Sequence, residues 1–435
     1  MRKKVCSNLA YYYTYTDKMS GMVSTKVQMN DNVDAALLEE AVNEALESFK
    51  DFKVQLEVSD NVLYFVDNPN PFQVVKGMET DSCMIRDTQA YLFSIHVEEC
   101  FIRLDFFHML MDGIGYFAFL KTILYLYLKK KCPTECDWDK YVAELTNHML
   151  SESSSETIDE DSIFLKRIAD ITQNRKPMQK EVGAESFFQL YDKEAQDEDK
   201  IVCVHLNRGK LKILTQQWQI KPYVLVNEIV GNAISEVFTW EDTLEDKQIA
   251  AYMPVELRRY LQMENYTYGC LSYINVPHTG REGGYTLQEQ CVEANKKLSQ
   301  YLDSEKAFQN MEADMDLIKI MQKESMPIGK KKKIMQRVME RTAQYRGTFC
   351  MSYIPFLKEE EALSRYVKDF RACVPESGIG IACEMIQVGD KVNLIIRYQA
   401  HCEEVIRKTM EELKKLSLYT DSFQEEICDL HIALP

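Results

Sequence analysis

One short stretch of this chain carries residues that suit chemistry: Phe107-His108-Met109-Leu110-Met111-Asp112-Gly113. A histidine ends an alternating apolar run, an aspartate follows four residues later, and a glycine comes next. An imidazole with an unperturbed pKa near 6.5 is largely neutral at physiological pH, and the neutral ring can take a proton from a hydroxyl or an amine. Asp112, on the same turn, is suited to hold the loop through backbone amides or an arginine. Gly113 is expected to let the chain reverse where a side chain would clash. The plainer alternative is an ordinary strand-to-helix turn, because His-x-x-x-Asp-Gly arises by chance in roughly 1 in 50 chains of such composition.

The neighbouring periodicities decide how such a segment is held. Tyr91 to Val97 and Cys100 to Phe107 read as two strands joined by a tight acidic turn at Glu98-Glu99. In the second, Ile102, Leu104 and Phe106 alternate with Arg103, Asp105 and Phe107. After Gly113 the period becomes helical through Tyr116, Phe117, Phe119, Leu120, Ile123, Leu124 and Tyr127, ending at Lys129-Lys130-Lys131, where cations favour a helix C-terminus. A helix is expected after Asp34, a plausible N-cap, and a strand over Asn61 to Val66. The later chain reads as a strand over Ile201 to Leu206, a helix over Arg208 to Trp218 and another after Pro222. Strands at Ile249 to Val255 and Leu271 to Val276 follow, then helices over Glu305 to Lys323 and Lys330 to Gln344. The chain closes with strand Gly380 to Gln387, a turn at Gly389-Asp390, strand Val392 to Tyr398 and helix Glu403 to Leu416. That closing order repeats the order around His108, so two copies of one α/β unit are expected, each a mixed sheet flanked by helices. The serine- and acid-rich stretch Ser151 to Asp161 and the polar Asp192 to Lys200 mark an exposed crossover, giving halves 1–190 (150–200 partly crossover) and 201–435.

Composition narrows the function classes. The 435 residues carry 52 Lys+Arg against 68 Asp+Glu, a net charge of −16, which argues against nucleic acid as the main partner. A local basic pocket is still allowed. The 13 cysteines are an odd, scattered set without a C-x-x-C pair, and no histidines stand at zinc-ligand spacing near Cys132 and Cys136. They read as small buried hydrophobes in a reducing compartment, so a cytoplasmic protein without a metal is expected. Met1-Arg2-Lys3-Lys4 is basic but lacks the apolar stretch of a signal peptide, and Tyr116 to Leu128 is too short, and carries Lys121, for a membrane span.

H-x-x-x-D-G at a strand end, before an aromatic-aliphatic helix, resembles the signature of the chloramphenicol acetyltransferase-like acyltransferase superfamily. That superfamily includes nonribosomal peptide condensation domains, and the likeness is greatest to stand-alone bacterial alcohol acetyltransferases. Ala250-Ala251-Tyr252-Met253-Pro254-Val255-Glu256-Leu257-Arg258-Arg259-Tyr260 resembles that group's strand ending in P-V-x-L-R-R. Lys210 to Gln219 with Lys221-Pro222-Tyr223 resembles the start of the family's second half, and Thr348-Phe349-Cys350-Met351-Ser352-Tyr353-Ile354-Pro355 stands in the place of its S-N-x-G segment. The resemblance implies an α/β protein of two chloramphenicol-acetyltransferase-like subdomains arranged as a V around a central channel, with His108 midway along it. It implies an acyl thioester and a small-molecule acceptor as partners, acyl-CoA or acyl-phosphopantetheine as co-substrate, no permanently bound cofactor and no covalent acyl-enzyme. His108 would be the general base. Asp112 and Gly113 would orient its loop, and Ser352 would donate to the oxyanion.

Where the pattern departs, the alternatives differ. Phe107 stands where condensation domains carry a second histidine, which favours acyl-CoA over a carrier-protein donor; a carrier-dependent, amide-forming condensation enzyme stays open. Phe49-Lys50-Asp51-Phe52-Lys53 lacks the arginine that pairs with the signature aspartate in condensation domains, so Arg258 is the candidate partner of Asp112. Tyr353 and Pro355 replace the family's Asn and Gly, leaving a non-catalytic ligand-binding relative as a second alternative. The plant branch's D-F-G-W-G motif is absent. Lys330-Lys331-Lys332-Lys333 reads either as a contact for coenzyme A or phosphopantetheine phosphates or as a solvated helix face. Tyr11-Tyr12-Tyr13 reads as a channel mouth or as half of a strand, and His96, His205, His278 and His401 as structural or surface residues. The methionines from Met311 to Met339 suit either an acyl-chain wall or core packing.

Overall fold

A computed structural model of the chain describes residues 2–5, 9–14, 21–78, 91–150, 167, 169–170, 186–192, 199–238, 247–264, 269–280, 284–303, 316–358, 361–373 and 378–419. The expected crossover over Ser151 to Asp161 and most of Asp192 to Lys200 lie outside these residues, as does the first part of the expected helix over Glu305 to Lys323.

Fourteen strands are described: β1 (Arg2–Lys4), β2 (Met22–Met29), β3 (Val54–Ser59), β4 (Val62–Asp67), β5 (Val75–Lys76), β6 (Phe93–Glu98), β7 (Phe101–Phe107), β8 (Lys200–Asn207), β9 (Ala250–Glu256), β10 (Leu271–Pro277), β11 (Phe349–Lys358), β12 (Val367–Cys373), β13 (Ile381–Gly389) and β14 (Lys391–Tyr398). They form a six-stranded sheet in the order β10-β9-β11-β13-β14-β8, a five-stranded sheet β12-β2-β7-β6-β5 and a three-stranded sheet β1-β4-β3. The two larger sheets are mixed: β11 runs parallel to β9 and β13, and β5 runs parallel to β6, while the other pairings are antiparallel. The helices used below are α1 (Leu9–Thr14), α2 (Ala35–Ser48), α3 (Gly113–Lys131), α4 (Trp138–Leu150), α5 (Arg208–Trp218), α6 (Pro222–Phe238), α7 (Arg258–Leu261), α8 (Leu287–Asp303), α9 (Ile328–Thr342) and α10 (Glu403–Lys415).

Helix α2 starts where Asp34 caps it, the carboxylate accepting from Ala36 N and Leu37 N, and it buries Leu38, Ala41, Val42, Ala45 and Leu46. Helix α3 is apolar nearly all round because it is enclosed: α2 and α4 pack beside it, and Phe106 and Phe93 of the sheet meet Tyr116 and Phe119. Its Phe117 reaches Phe356 of β11 and Phe370 of β12. Helices α6, α8 and α10 pack together over the six-stranded sheet. On that side Phe349, Met351, Cys383 and Met385 are fully buried, whereas Cys350, Ser352 and Ile354 of the opposite face are half-buried.

Strand β7 departs from a one-sided amphipathic strand. Both of its faces are buried from Ile102 to Phe107, and Arg103 survives there because Asp105, two residues along the same face, receives its Nε at 2.8 Å and Nη2 at 2.6 Å. Strand β12 comes late in the sequence yet completes the five-stranded sheet, pairing from Val367 opposite Met29 to Cys373 opposite Ser24. The expected strand at Tyr11-Tyr12-Tyr13 is corrected: these residues lie in helix α1, with Tyr13 fully buried. Nine of the described cysteines are shown free, and no helix among the described residues is long and apolar enough to cross a membrane.

Candidate active site

Strand β7 ends at Phe107 because the backbone turns away there. Leu110 N donates to Phe107 O at 2.8 Å, and His108 N donates to Gly21 O at 2.9 Å. Met109, Leu110 and Met111 then plunge into the core with no exposed surface, pinning the loop from below. This leaves His108 half-buried at the strand end. Its Nδ1 lies 2.9 Å from Met111 O. A carbonyl oxygen only accepts, so Nδ1 carries the proton in the neutral ring, and Nε2 holds the lone pair. Burial lowers the His108 pKa below its usual value, with the Met111 carbonyl opposing the shift. The ring is therefore a neutral base at physiological pH, in one tautomer.

Asp112 is the N-cap of α3, its Oδ1 accepting from Ile114 N and Gly115 N at 3.1 Å each. It has no exposed surface, and its charge is met from the other large sheet's side of the molecule. Arg258, at the start of α7, places Nη2 2.9 Å from Oδ1 and Nη1 2.9 Å from Oδ2, and Cys270 N donates to Oδ2 at 3.0 Å. The pairing is bidentate and buried, and Glu256 holds Arg258 from behind at 3.3 Å. The histidine loop is thus clamped between elements far apart in sequence.

Gly113 requires a correction. It begins the helix without a positive φ, and a Cβ there would meet only Phe117 Cε2 at an ordinary 3.8 Å. The glycine that the loop needs is Gly21. Its φ is +64°, a Cβ would lie 2.8 Å from the Phe107 ring, and its carbonyl receives the His108 amide.

Tyr11, read from the sequence as part of a channel mouth or of a strand, meets the histidine itself. Its ring stacks on His108, centroids 4.6 Å apart and planes 18° apart, and its hydroxyl hydrogen-bonds with Tyr273 of β10. Tyr273 in turn stacks on Tyr252 of β9, 4.5 Å away and nearly parallel. Burial raises the Tyr11 hydroxyl to about 12, so it stays protonated. The one signal in the sequence was the run of three tyrosines.

The remaining candidates divide. Ser352 of β11 donates to Glu384 of β13 at 2.5 Å, and the two are direct partners across parallel strands. Cys350, two residues earlier on the same face, lies near both Tyr11 and Tyr273, so Ser352 belongs to the sheet face that meets the histidine's stacking partner. The four-lysine run does not act as one cluster. Lys331 is fully buried with Nζ donating to Asn61 O, because α9 packs there; Lys332 Nζ sits 5.4 Å above the Tyr12 ring; only Lys330 and Lys333 are exposed. Lys331 is therefore corrected to a structural residue. His96, His205 and His401 have local partners, Ser94, Asn393 and Leu190 O, and His278 lies against Glu228 at 2.9 Å. Of the methionine-rich stretch, Met321 and Met335 are core residues, and 311–315 lie outside the described residues. No metal-holding group of His, Cys, Asp or Glu occurs among the described residues.

The sequence matches no protein-family model and no curated protein. Solved structures do match along nearly the whole length. The starter condensation domain of rhizomide synthetase, in complex with C8-CoA, superposes with a TM-score of 0.60 at 13% identity, covering 98% of this chain and 96% of its own. Trichothecene 15-O-acetyltransferase TRI3 from Fusarium sporotrichioides gives 0.59 at 10% identity, covering 96% and 95%. The condensation domain of the monacolin K polyketide synthase MokA gives 0.57 at 11% identity, covering 96% of both chains. The mixed sheets, their flanking helices and this end-to-end correspondence give the chain the fold of the condensation domains and of chloramphenicol acetyltransferase-like enzymes.

Proposed function

We propose that this protein moves an acyl group from a thioester, acyl-CoA in the first instance, to an alcohol or amine, with His108 as the general base. The observation that carries the reading is the fixed tautomer: Nδ1–H is committed to Met111 O, so Nε2 of a neutral imidazole is the nitrogen that takes a proton. In the reaction Nε2 accepts the proton of the acceptor hydroxyl or amine as its oxygen or nitrogen attacks the thioester carbonyl. The tetrahedral oxyanion then collapses, the carbon–sulfur bond breaks, and the thiolate leaves with the proton returned by Nε2–H. Ser352 is the proposed oxyanion donor, a role typically contributing on the order of 3 kcal/mol to the barrier. Two acetyltransferase-like halves, 1–190 and 201–435, would enclose a central channel reaching His108 from both sides. Support comes from the Tyr11–Tyr273 and Asp112–Arg258 links across the two large sheets. The exposed Lys330 and Lys333 are the proposed phosphate contacts of the donor.

Two of the structural neighbours bear on the donor and acceptor: a starter condensation domain solved with C8-CoA and an O-acetyltransferase. The test is mass spectrometry of products after incubation with a panel of acyl-CoAs, or acyl-carrier protein, and cell extract. Product from acyl-CoA that falls roughly 100-fold or more in His108→Ala supports the reading. Turnover of the carrier-bound acyl group alone overturns the acyl-CoA donor, and unchanged turnover in His108→Ala overturns the general base.

A further inference from the structure

The Ser352–Glu384 pair has a feature that a plain hydroxyl donor lacks. Glu384 is only 4% exposed, and among the described residues Ser352 alone is shown hydrogen-bonding it. Among the described residues no cation offsets it. Opposite Glu384 on β14 stands apolar Ile395, and the next residue along that face, Arg397, is bound to Asp199 at 2.7 Å. Strand β12 packs against β13 and β14; its Arg371 Nε reaches Asp369 at 3.0 Å, Asn393 donates to Asp369 at 2.7 Å, and its Lys368 is exposed. On β11 the titratable neighbour is the Cys350 thiol, and on its own strand the Cys383 thiol, both kept protonated by burial. Burial is the dominant influence on Glu384 and pushes its carboxyl up to about 7, the Ser352 hydrogen bond opposing it.

A hydroxyl and a carboxyl 2.5 Å apart have two proton arrangements. An ionised carboxylate accepts only, so it holds the Ser352 proton. A protonated carboxyl can donate its own O–H to Ser352 Oγ, and the serine O–H is then free to point elsewhere. We propose that Glu384 is a positioning residue that gates the oxyanion donor: its protonated form releases the Ser352 O–H toward the developing oxyanion, and its ionised form withdraws it. The inference rests on the reading of Ser352 as that donor. It makes transfer active in the window where His108 is neutral and Glu384 is protonated. Alkaline loss of activity would then arise in the enzyme and not in the acceptor.

The experiment has a substrate-free arm and a kinetic arm. Infrared pH titration of the native chain should show a carboxylic-acid carbonyl band that disappears with a midpoint at about pH 7, is absent in Glu384→Gln and is shifted in Ser352→Ala. Absence of any Glu384→Gln-sensitive band titrating between about pH 6 and 8 overturns the proposal. In the kinetic arm, octanoyl-CoA is offered with a non-titrating alcohol found active in the panel. For the native chain kcat/KM should fall about 25-fold from pH 6.5 to 8.5, the loss of protonated acid for a midpoint near 7. Glu384→Gln, whose amide N–H donates to Ser352 Oγ at every pH, should lose that fall. An unchanged alkaline limb in Glu384→Gln, with Ser352→Ala strongly impaired, overturns the gate while leaving the donor reading intact. A Ser352→Ala variant as active as the native chain removes the donor reading itself.

Discussion

The clamp on the histidine loop yields the most quantitative prediction. Asp112→Ala removes a side chain that accepts five hydrogen bonds, two from Arg258, one from Cys270 N and two from the first turn of α3. It also leaves the Arg258 guanidinium, only 2% exposed, with Glu256, at 3.3 Å, as the acid shown beside it among the described residues. Breaking one side of a buried pair costs about 3–5 kcal/mol and losing an N-cap about 1 kcal/mol, so roughly 4–6 kcal/mol is expected. Arg258→Ala should cost less, about 3 kcal/mol, because three backbone N–H groups still satisfy the Asp112 carboxylate. In the double variant neither charge is stranded. Its loss should fall short of the sum of the single losses by about 2–3 kcal/mol. Urea unfolding of the four chains, followed by tryptophan fluorescence and far-ultraviolet circular dichroism, measures this. Additivity to within about 0.5 kcal/mol would show that the pair does not act as a unit, and the clamp would have to be abandoned.

Other expectations concern the ring and its supports. Because burial lowers the His108 pKa, the acid limb of kcat/KM should lie below about pH 6.5, and an acid limb centred above pH 7 would contradict the burial assigned to it. The same shift makes the unfolded chain bind a proton first, so stability should be lost as pH falls through about 6.5, a loss that His108→Gln reduces in pH-dependent urea titrations. Tyr11→Phe keeps the stacked ring and sheds the Tyr273 bond, whereas Tyr11→Ala removes both; kcat should fall roughly 10-fold further in the alanine variant, and equal values would deny the stack a role. Gly21→Val must hold a branched residue at φ +64° against Phe107, and a loss of about 1–3 kcal/mol is expected in thermal unfolding. Lys331→Ala should destabilise by about 1–2 kcal/mol, against less than 0.5 kcal/mol for the exposed Lys330→Ala.

The local pattern of the sequence was informative wherever one face of an element is buried by its own neighbours. Asp34, the alternation before His108, the helix from Arg208 to Trp218 and the closing strand–turn–strand–helix all lie where periodicity placed them. It failed where tertiary contacts outrank pattern. Tyr11-Tyr12-Tyr13 has strand composition but forms a helical turn, because one tyrosine is wanted against His108 and another in the core. Gly113 drew attention through its place in the motif, while the strained turn is taken by Gly21, distant in sequence and brought close only by the pairing of β2 with β7. Glu384 had no signal at all. A single acid in an apolar strand becomes informative only when its cross-strand partner is known to be a serine.

Strand β12 has a consequence for how the molecule is made. A ribosome releases Met22 to Met29 early, yet the strand that covers their outer edge, Val367 to Cys373, emerges only after most of the chain has been translated. Until then the nascent polypeptide exposes an unpaired ladder of amides and carbonyls, the kind of template that invites mispairing with other chains. Cutting the gene between the halves should therefore yield an insoluble first fragment, and supplying the second fragment in trans should rescue it.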